Sequence, residues 1–279
     1  MCRLFGFRSA VRSHAHRSLV AAHNALAEQA LAHPHGWGIG YFHGEEAFLL
    51  KDQAAAAESA AFRRAADRLA TNALVAHVRR ATVGEVASRN THPFRNGRWL
   101  FAHNGTIHGF SALEERLAAA TPGSLWSRRL GDTDSEAFFY LLLGALDREG
   151  VDVEGARPTD VAAVAAAASR ALERVRELAA QAGADAPVVN FLLTNGKVFV
   201  AQRHGRELHF STQKHHCPDA ESCLAPVKSC LQLARTSDQV NHLLVASERI
   251  GEDDVWEDVP EGTMIALDEG FGLRRFATG

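Results

Sequence analysis

The chain has 279 residues, 46% of them hydrophobic and 23% charged, with a formal net charge of −3 from 30 basic and 33 acidic side chains. This suits one globular domain with a sizeable core, and it offers no basic excess to hold a phosphate backbone, so nucleic acid is not an expected partner. No run of about eighteen apolar residues suggests a membrane span. The first residues, interrupted by Arg3, Arg8 and Arg12, do not read as a secretory leader, and a cytoplasmic location is expected.

Along the chain, alternation and β-branched or aromatic content predict a strand over 3–8, and apolar spacing predicts a helix over 18–32. Strands follow at 37–42 and 47–51, a helix at 52–70, and strands at 73–78 and 99–103. Three helices come next, at 111–119, 133–146 and 159–181. The last opens on Pro158-Thr159-Asp160 and stops at Gly183, and its alanine-rich middle is helix former rather than linker. Strands return at 188–194, 198–203, 207–211, 242–247, 263–267 and 272–276, with Asn195-Gly196 as a hairpin signal. The order of strands, helices and strands points to an α+β fold of two sheets with helices packed outside, not to a βαβ repeat. A single domain is expected over 1–279, with an irregular excursion within 210–235.

Four clusters carry chemistry: Cys2, residues 77–84 (HVRRATVG), residues 90–94 (NTHPF) with 102–105 (AHNG), and residues 131–136 (GDTDSE). Each falls at a predicted strand end or helix start, where active-site loops gather. A thiol needs a base to become a thiolate. If Met1 is removed, Cys2 carries its own base, an α-amino group that titrates at about 7.7–8.0. One residue then supplies nucleophile and base, as in N-terminal-threonine enzymes. Taken alone, Cys2 reads more readily as a buried strand cysteine behind a retained Met1; the other three clusters reverse that preference.

Asn104-Gly105 at the end of an apolar strand is either a plain turn or an oxyanion hole, built from the Asn104 side-chain amide and the Gly105 N–H. Arg79, closing the apolar run 73–78, is placed to clamp a carboxylate bidentately, while Arg80 should point the other way. Of Asp132 and Asp134, one is expected to cap the following helix and the other to bind a substrate ammonium group. Arg79 and Asp134 would thus read the charged ends of a free amino acid while Cys2 acts on its side chain.

The ordered set Cys2, Arg79-x-Ala81-Thr82-x-Gly84, Asn90-x-His92-Pro93, His103-Asn104-Gly105 and Thr133-Asp134-x-Glu136 resembles the class II (Ntn-type) glutamine amidotransferases, and within them the free-standing glutaminase-domain members. Some of those act on γ-glutamyl thiol-histidine conjugates of ergothioneine synthesis. The resemblance implies a four-layer αββα sandwich of two antiparallel sheets. It implies Cys2 as nucleophile, Asn104 and Gly105 as oxyanion hole, and Arg79, Thr82, His92 and Asp134 as the substrate-binding set. No cofactor or metal is implied. The substrate would be glutamine or a γ-glutamyl amide, and the ammonia would pass to water or to a separate accepting subunit.

The sequence departs from the resemblance at 33–38 (HPHGWG), where His35 stands in the place of the subgroup's usual Asp; it reads as a hydrogen-bonded loop residue. Two rival functions stay open: a catalytically idle module that binds glutamine or a partner, and an N-terminal-cysteine acylase acting on other amides. His215-His216-Cys217 with Cys223 and Cys230 does not match zinc spacing, so no metal site is expected.

Overall fold

In a computed structural model of the chain, residues 2–81, 83–215 and 238–278 are described; Thr82, His216, Cys217, Cys223, Cys230 and most of the expected excursion lie outside them. Thirteen strands form two sheets among these residues. The first holds β1 (Arg3–His14), β2 (Trp37–His43), β3 (Glu46–Asp52), β4 (Ala70–Val78), β9 (His209–Ser211), β10 (His242–Ala246) and β11 (Glu257–Asp258), in the order β11-β9-β10-β1-β4-β2-β3. The second holds β5 (Phe94–Asn96), β6 (Trp99–Thr106), β7 (Val188–Thr194), β8 (Phe199–Arg203), β12 (Thr263–Leu267) and β13 (Leu273–Ala277), in the order β13-β12-β8-β7-β6-β5. Every pairing is antiparallel.

The period-two alternation read from the sequence sorts side chains onto two faces. Leu4, Val75, Leu243 and Val245 of the first sheet meet Ala102, Leu192, Phe199 and Ile265 of the second in a dry layer between the sheets. Phe5, Phe7, Trp37, Leu74 and Val78 turn outward onto Leu19, Leu26 and Phe62. On the far side, Trp99, Phe101, Phe191 and Leu193 pack against α3 (Phe110–Ala120), the short α4 (Gly123–Trp126), α5 (Asp134–Arg148) and α6 (Val161–Gln181). The layers run helix, sheet, sheet, helix, which is the expected αββα sandwich.

Helix boundaries follow their caps. The Asp160 side chain accepts from Ala162 N–H to start α6, a cap that stabilises a helix by about 1 kcal/mol. The helix expected at 18–32 breaks into a π-helical turn (Arg17–Ala21), α1 (Leu26–Gln29) and a 3-10 turn (Ala30–Ala32). Asn24 interrupts it at φ 55, a left-handed conformation that asparagine tolerates better than most residues. The helix expected at 52–70 shrinks to α2 (Ala60–Arg68). Asp52 completes β3 and takes the Ala54 N–H on its carboxylate, while Ser59 caps α2 through Phe62 N–H. Among the described residues no helix is long and apolar enough to cross a membrane.

Candidate active site

Register places the first cluster. Arg3 of β1 pairs with Val78 of β4 in an antiparallel ladder, so Cys2 comes beside the residues that follow Val78. The Cys2 sulfur accepts the Arg80 N–H at 3.3 Å, and its S–H lies 3.5 Å from the Arg80 carbonyl. Burial pushes the Cys2 thiol up, while the Arg80 N–H, the positive chain terminus and Arg79 pull it down toward the thiolate.

Arg79 is buried, and Arg80 is exposed as expected of its neighbour. The Arg79 guanidinium donates to the carbonyls of Val83 (2.9 Å), Glu85 (2.8 Å) and, more distantly, Gly84 (3.4 Å). Its fork therefore shapes the 83–85 loop, and Nε carries no bond of its own there. The same turn is pinned from β2's side. Arg79 N–H donates to Gly36 O at 2.8 Å, His35 N–H donates to Arg79 O at 3.1 Å, and His35 Nδ1 accepts from Ala81 N–H at 2.9 Å. His35 is thus the hydrogen-bonded loop residue anticipated. It holds its proton on Nε2, because Nδ1 is the acceptor.

The third and fourth clusters lock onto the second. Asn90 Nδ2 donates to Asp132 Oδ1 at 2.5 Å, and Asp132 N–H donates back to Asn90 Oδ1 at 3.0 Å. Gly84, at φ 72, lies against this pair; a Cβ there would stand 2.5 Å from Asp132 Oδ1, so only glycine fits both the conformation and the space. The helix cap is neither aspartate. Thr133 Oγ1 accepts from Glu136 N–H, and the Glu136 carboxylate reaches back to Leu130 and Gly131 N–H. This is a capping-box arrangement shifted outward along the chain.

Asp134 is buried, with Oδ2 taking Ile107 N–H and Oδ1 taking Ser135 N–H, both at 2.8 Å. It thereby ties the start of α5 to the turn after Asn104-Gly105 and comes within electrostatic reach of both Cys2 and Arg79. A carboxylate has about four lone-pair sites, so acceptor capacity remains.

Asn104 lies on β6, which crosses the sandwich from β1 and β4, opposite Asn190 of β7. The two differ in how their amides are used. Asn190 gives its amide to Arg206 O and Glu207 O and takes His204 N–H. Asn104, buried to 5% exposure, makes no side-chain hydrogen bond among the described residues. Gly105 meets Val188 so closely that a Cβ would stand 1.9 Å from Val188 O and 2.3 Å from His103 Nε2. His103 donates from Nε2 to Val188 O, which can only accept, and meets Ser135 Oγ through Nδ1 at 2.9 Å.

Sequence reasoning pairs His92 with the substrate. Here its ring sits in the interior, 4.3 Å from the His77 ring centroid and 4.6 Å from that of Phe94. Among the described residues neither ring nitrogen of His92 has a hydrogen-bond partner, and burial holds its pKa well below the usual histidine range. Thr82 lies outside the described residues. Arg206, which no local sequence signal marks, also comes within electrostatic reach of Cys2. Among the described residues no group of three or more His, Cys, Asp or Glu could hold a metal ion.

Comparison with known proteins bears on the family and the fold. A family profile described as class-II glutamine amidotransferases matches residues 1–277. The putative glutamine amidotransferase YafJ of Escherichia coli is 32% identical over 187 residues, 65% of this chain and 65% of that protein. A γ-glutamyl-hercynylcysteine sulfoxide hydrolase of Mycobacterium tuberculosis is 32% identical over 118 residues, 38% of this chain and 50% of that one. The chain thus spans less than two thirds of the length of these curated relatives. Among solved structures, a glutamine aminotransferase class-II domain protein from Silicibacter pomeroyi has the same fold, with a TM-score of 0.65 at 19% identity, covering 99% of this chain and 98% of that one.

Proposed function

The chain belongs to the class-II glutamine amidotransferases, and from that premise we propose that it is an amidohydrolase whose Cys2 attacks the γ-amide of glutamine or of a γ-glutamyl compound. The observation that carries this reading is the convergence at Cys2. Its sulfur rests on the backbone that follows Arg79, with Arg79 and Asp134 both in electrostatic reach. The γ-glutamyl activity in the mycobacterial relative's name supports the same bond class.

In the proposed reaction, removal of Met1 frees the Cys2 amine, which takes the thiol proton. The sulfur then bonds to the amide carbon. The oxyanion draws on Asn104 Nδ2 and Gly105 N–H, donors fixed before charge develops. The ammonium returns its proton to the amide nitrogen, the C–N bond breaks, and a γ-glutamyl thioester remains. Water attacks that thioester with the same amine as base, releasing glutamate and restoring the thiol. Arg79 would meet the substrate α-carboxylate and Asp134 its ammonium, holding the amide at the sulfur. The released ammonia or amine passes to water or to a separate accepting subunit.

Cys2→Ala should abolish release of glutamate from glutamine and from γ-glutamyl amides, and intact-mass measurement of active protein should show Met1 absent. Full activity in Cys2→Ala, or in protein that retains Met1, would overturn the mechanism in favour of a glutamine-holding module or different chemistry. Preference for N-acyl amides without a glutamyl end would favour the acylase reading.

A further inference from the structure

The face of β1 turned away from the other sheet floors a cavity apart from the Cys2 site. Register pairs Phe5, Phe7 and Ser9 of β1 with Ala246, Leu244 and His242 of β10, and directly opposed residues of an antiparallel pair point to the same side. Leu4 turns to the layer between the sheets, so by alternation these side chains turn outward. With the π-helical turn (Arg17–Ala21), Ile250 and residues 253–254, they line a cavity of about 630 Å³, within the roughly 300–1,000 Å³ of small-molecule sites. The nucleophile lies elsewhere. Cys2 rests on the Arg80 backbone at the start of β1, and about 23 Å of extended strand separates it from Ser9.

The lining combines an apolar floor with charges that do not balance. Phe5, Phe7, Leu244 and Ile250 are buried hydrophobic residues. Arg17 pairs with Asp253, and Lys214 pairs with Asp254 at 3.4 Å. Arg12 has no carboxylate partner among the described residues. Its Nε and Nη2 both donate to Ala70 O, at 3.2 and 2.8 Å, which leaves Nη1 to offer. His242, 5% exposed, also lines the cavity, and its Nε2 has no hydrogen-bond partner among the described residues. A buried ring nitrogen left unpaired is costly, and a ligand oxygen would relieve it. A carboxylate brings two acceptor oxygens, enough for one guanidinium and one ring N–H. We propose that this cavity binds a small monocarboxylate with an aryl or alkyl body. The carboxylate answers the unbalanced charge of Arg12 and the unpaired Nε2 of His242, and the body lies on Phe5, Phe7 and Leu244.

The test is calorimetric titration of the full chain with 4-phenylbutyrate and with its neutral counterpart, 4-phenylbutanamide. The acid should bind saturably, with a Kd in the millimolar range or tighter. It should bind roughly tenfold more tightly than the amide, the scale of one charge-assisted contact. Arg12→Gln should bring the two to the same affinity. Ser18→Trp, which fills the cavity from the π-helical turn, should remove binding of both, with thermal melts showing that each variant is folded. A second measurement needs no variant: an alkyl-diazirine monocarboxylate, photolysed with the intact protein, should label residues 5–14, 242–244 or 250–254, and 4-phenylbutyrate should compete with that labelling. Absence of saturable binding by the acid would overturn the inference. So would equal affinity for acid and amide in the intact protein, or labelling confined to other segments. None of these results bears on the amide hydrolysis proposed for Cys2.

Discussion

Replacing Asn104 by alanine separates catalysis from stability more cleanly than any other single change in this site. Its amide makes no side-chain hydrogen bond among the described residues, so its removal breaks no bond of the resting fold. The loss of packing is small for a side chain of this size, and stability should change by less than about 1 kcal/mol, a shift in Tm of no more than about 4 °C for a chain of this length. In the transition state the same amide would be one of two oxyanion donors. Loss of one such donor lowers kcat by about 10²–10³-fold, or roughly 3–4 kcal/mol. The Gly105 N–H survives, so activity should fall without vanishing. KM should move little, because the ground-state carbonyl is held less tightly than the oxyanion. The assay is glutamate release at saturating glutamine or γ-glutamyl amide, with thermal melts of the same preparations. A fall in kcat below about threefold would refute the assignment. So would a large fall accompanied by a Tm loss above about 10 °C, since Asn104 would then be a structural residue.

Three further outcomes follow from the geometry. His35→Ala leaves the Ala81 N–H without its acceptor and should raise KM by about fivefold, corresponding to roughly 1 kcal/mol; His35→Asp should restore most of the loss because a carboxylate accepts the same bond, and failure of that rescue would deny His35 a positioning role. Asn90→Ala removes the reciprocal pair with Asp132 from a fully buried position and should lower stability by about 2–3 kcal/mol, read as a shift in the urea midpoint at constant slope. Burial pushes the pKa of His242 down to about 4, so between that value and the ordinary histidine pKa of about 6.5 the unfolded chain binds the extra proton. Stability is then complete at neutral pH and declines on acidification across this window, by about 2 kcal/mol at pH 5. His242→Gln should flatten the dependence of the urea midpoint on pH, and an unchanged slope would contradict the assignment.

How much of this was legible beforehand depends on where the deciding contact lies in the chain. The start of α5 could be read because Thr133 and Glu136 form their capping contacts within one turn. The strands of the inner layer were legible because alternation is a local pattern that the sandwich then uses directly. The expected helix at 52–70 failed locally as well: high alanine content outweighed the turn that Asp52 imposes and the later start that Ser59 fixes. Three-residue β5 has no alternation to read and owes its strand character to pairing with β6. Within the site, the candidate residues stood out through their chemical types. The clasp between Asn90 and Asp132, the free state of the Asn104 amide and the nearness of Arg206 depend on residues dozens of positions apart. No window of sequence contains them.

The strand that carries Cys2 occupies the middle of its sheet, flanked by β4 on one side and by β10 on the other. One of those neighbours, residues 242–246, lies far downstream of β1 in the sequence. During synthesis β1 can therefore pair with β4 well before residues 242–246 emerge to close its other edge. Ribosome-bound intermediates that stop before residue 242 should hold β1 with one edge open, and turnover should first appear in chains that include that segment.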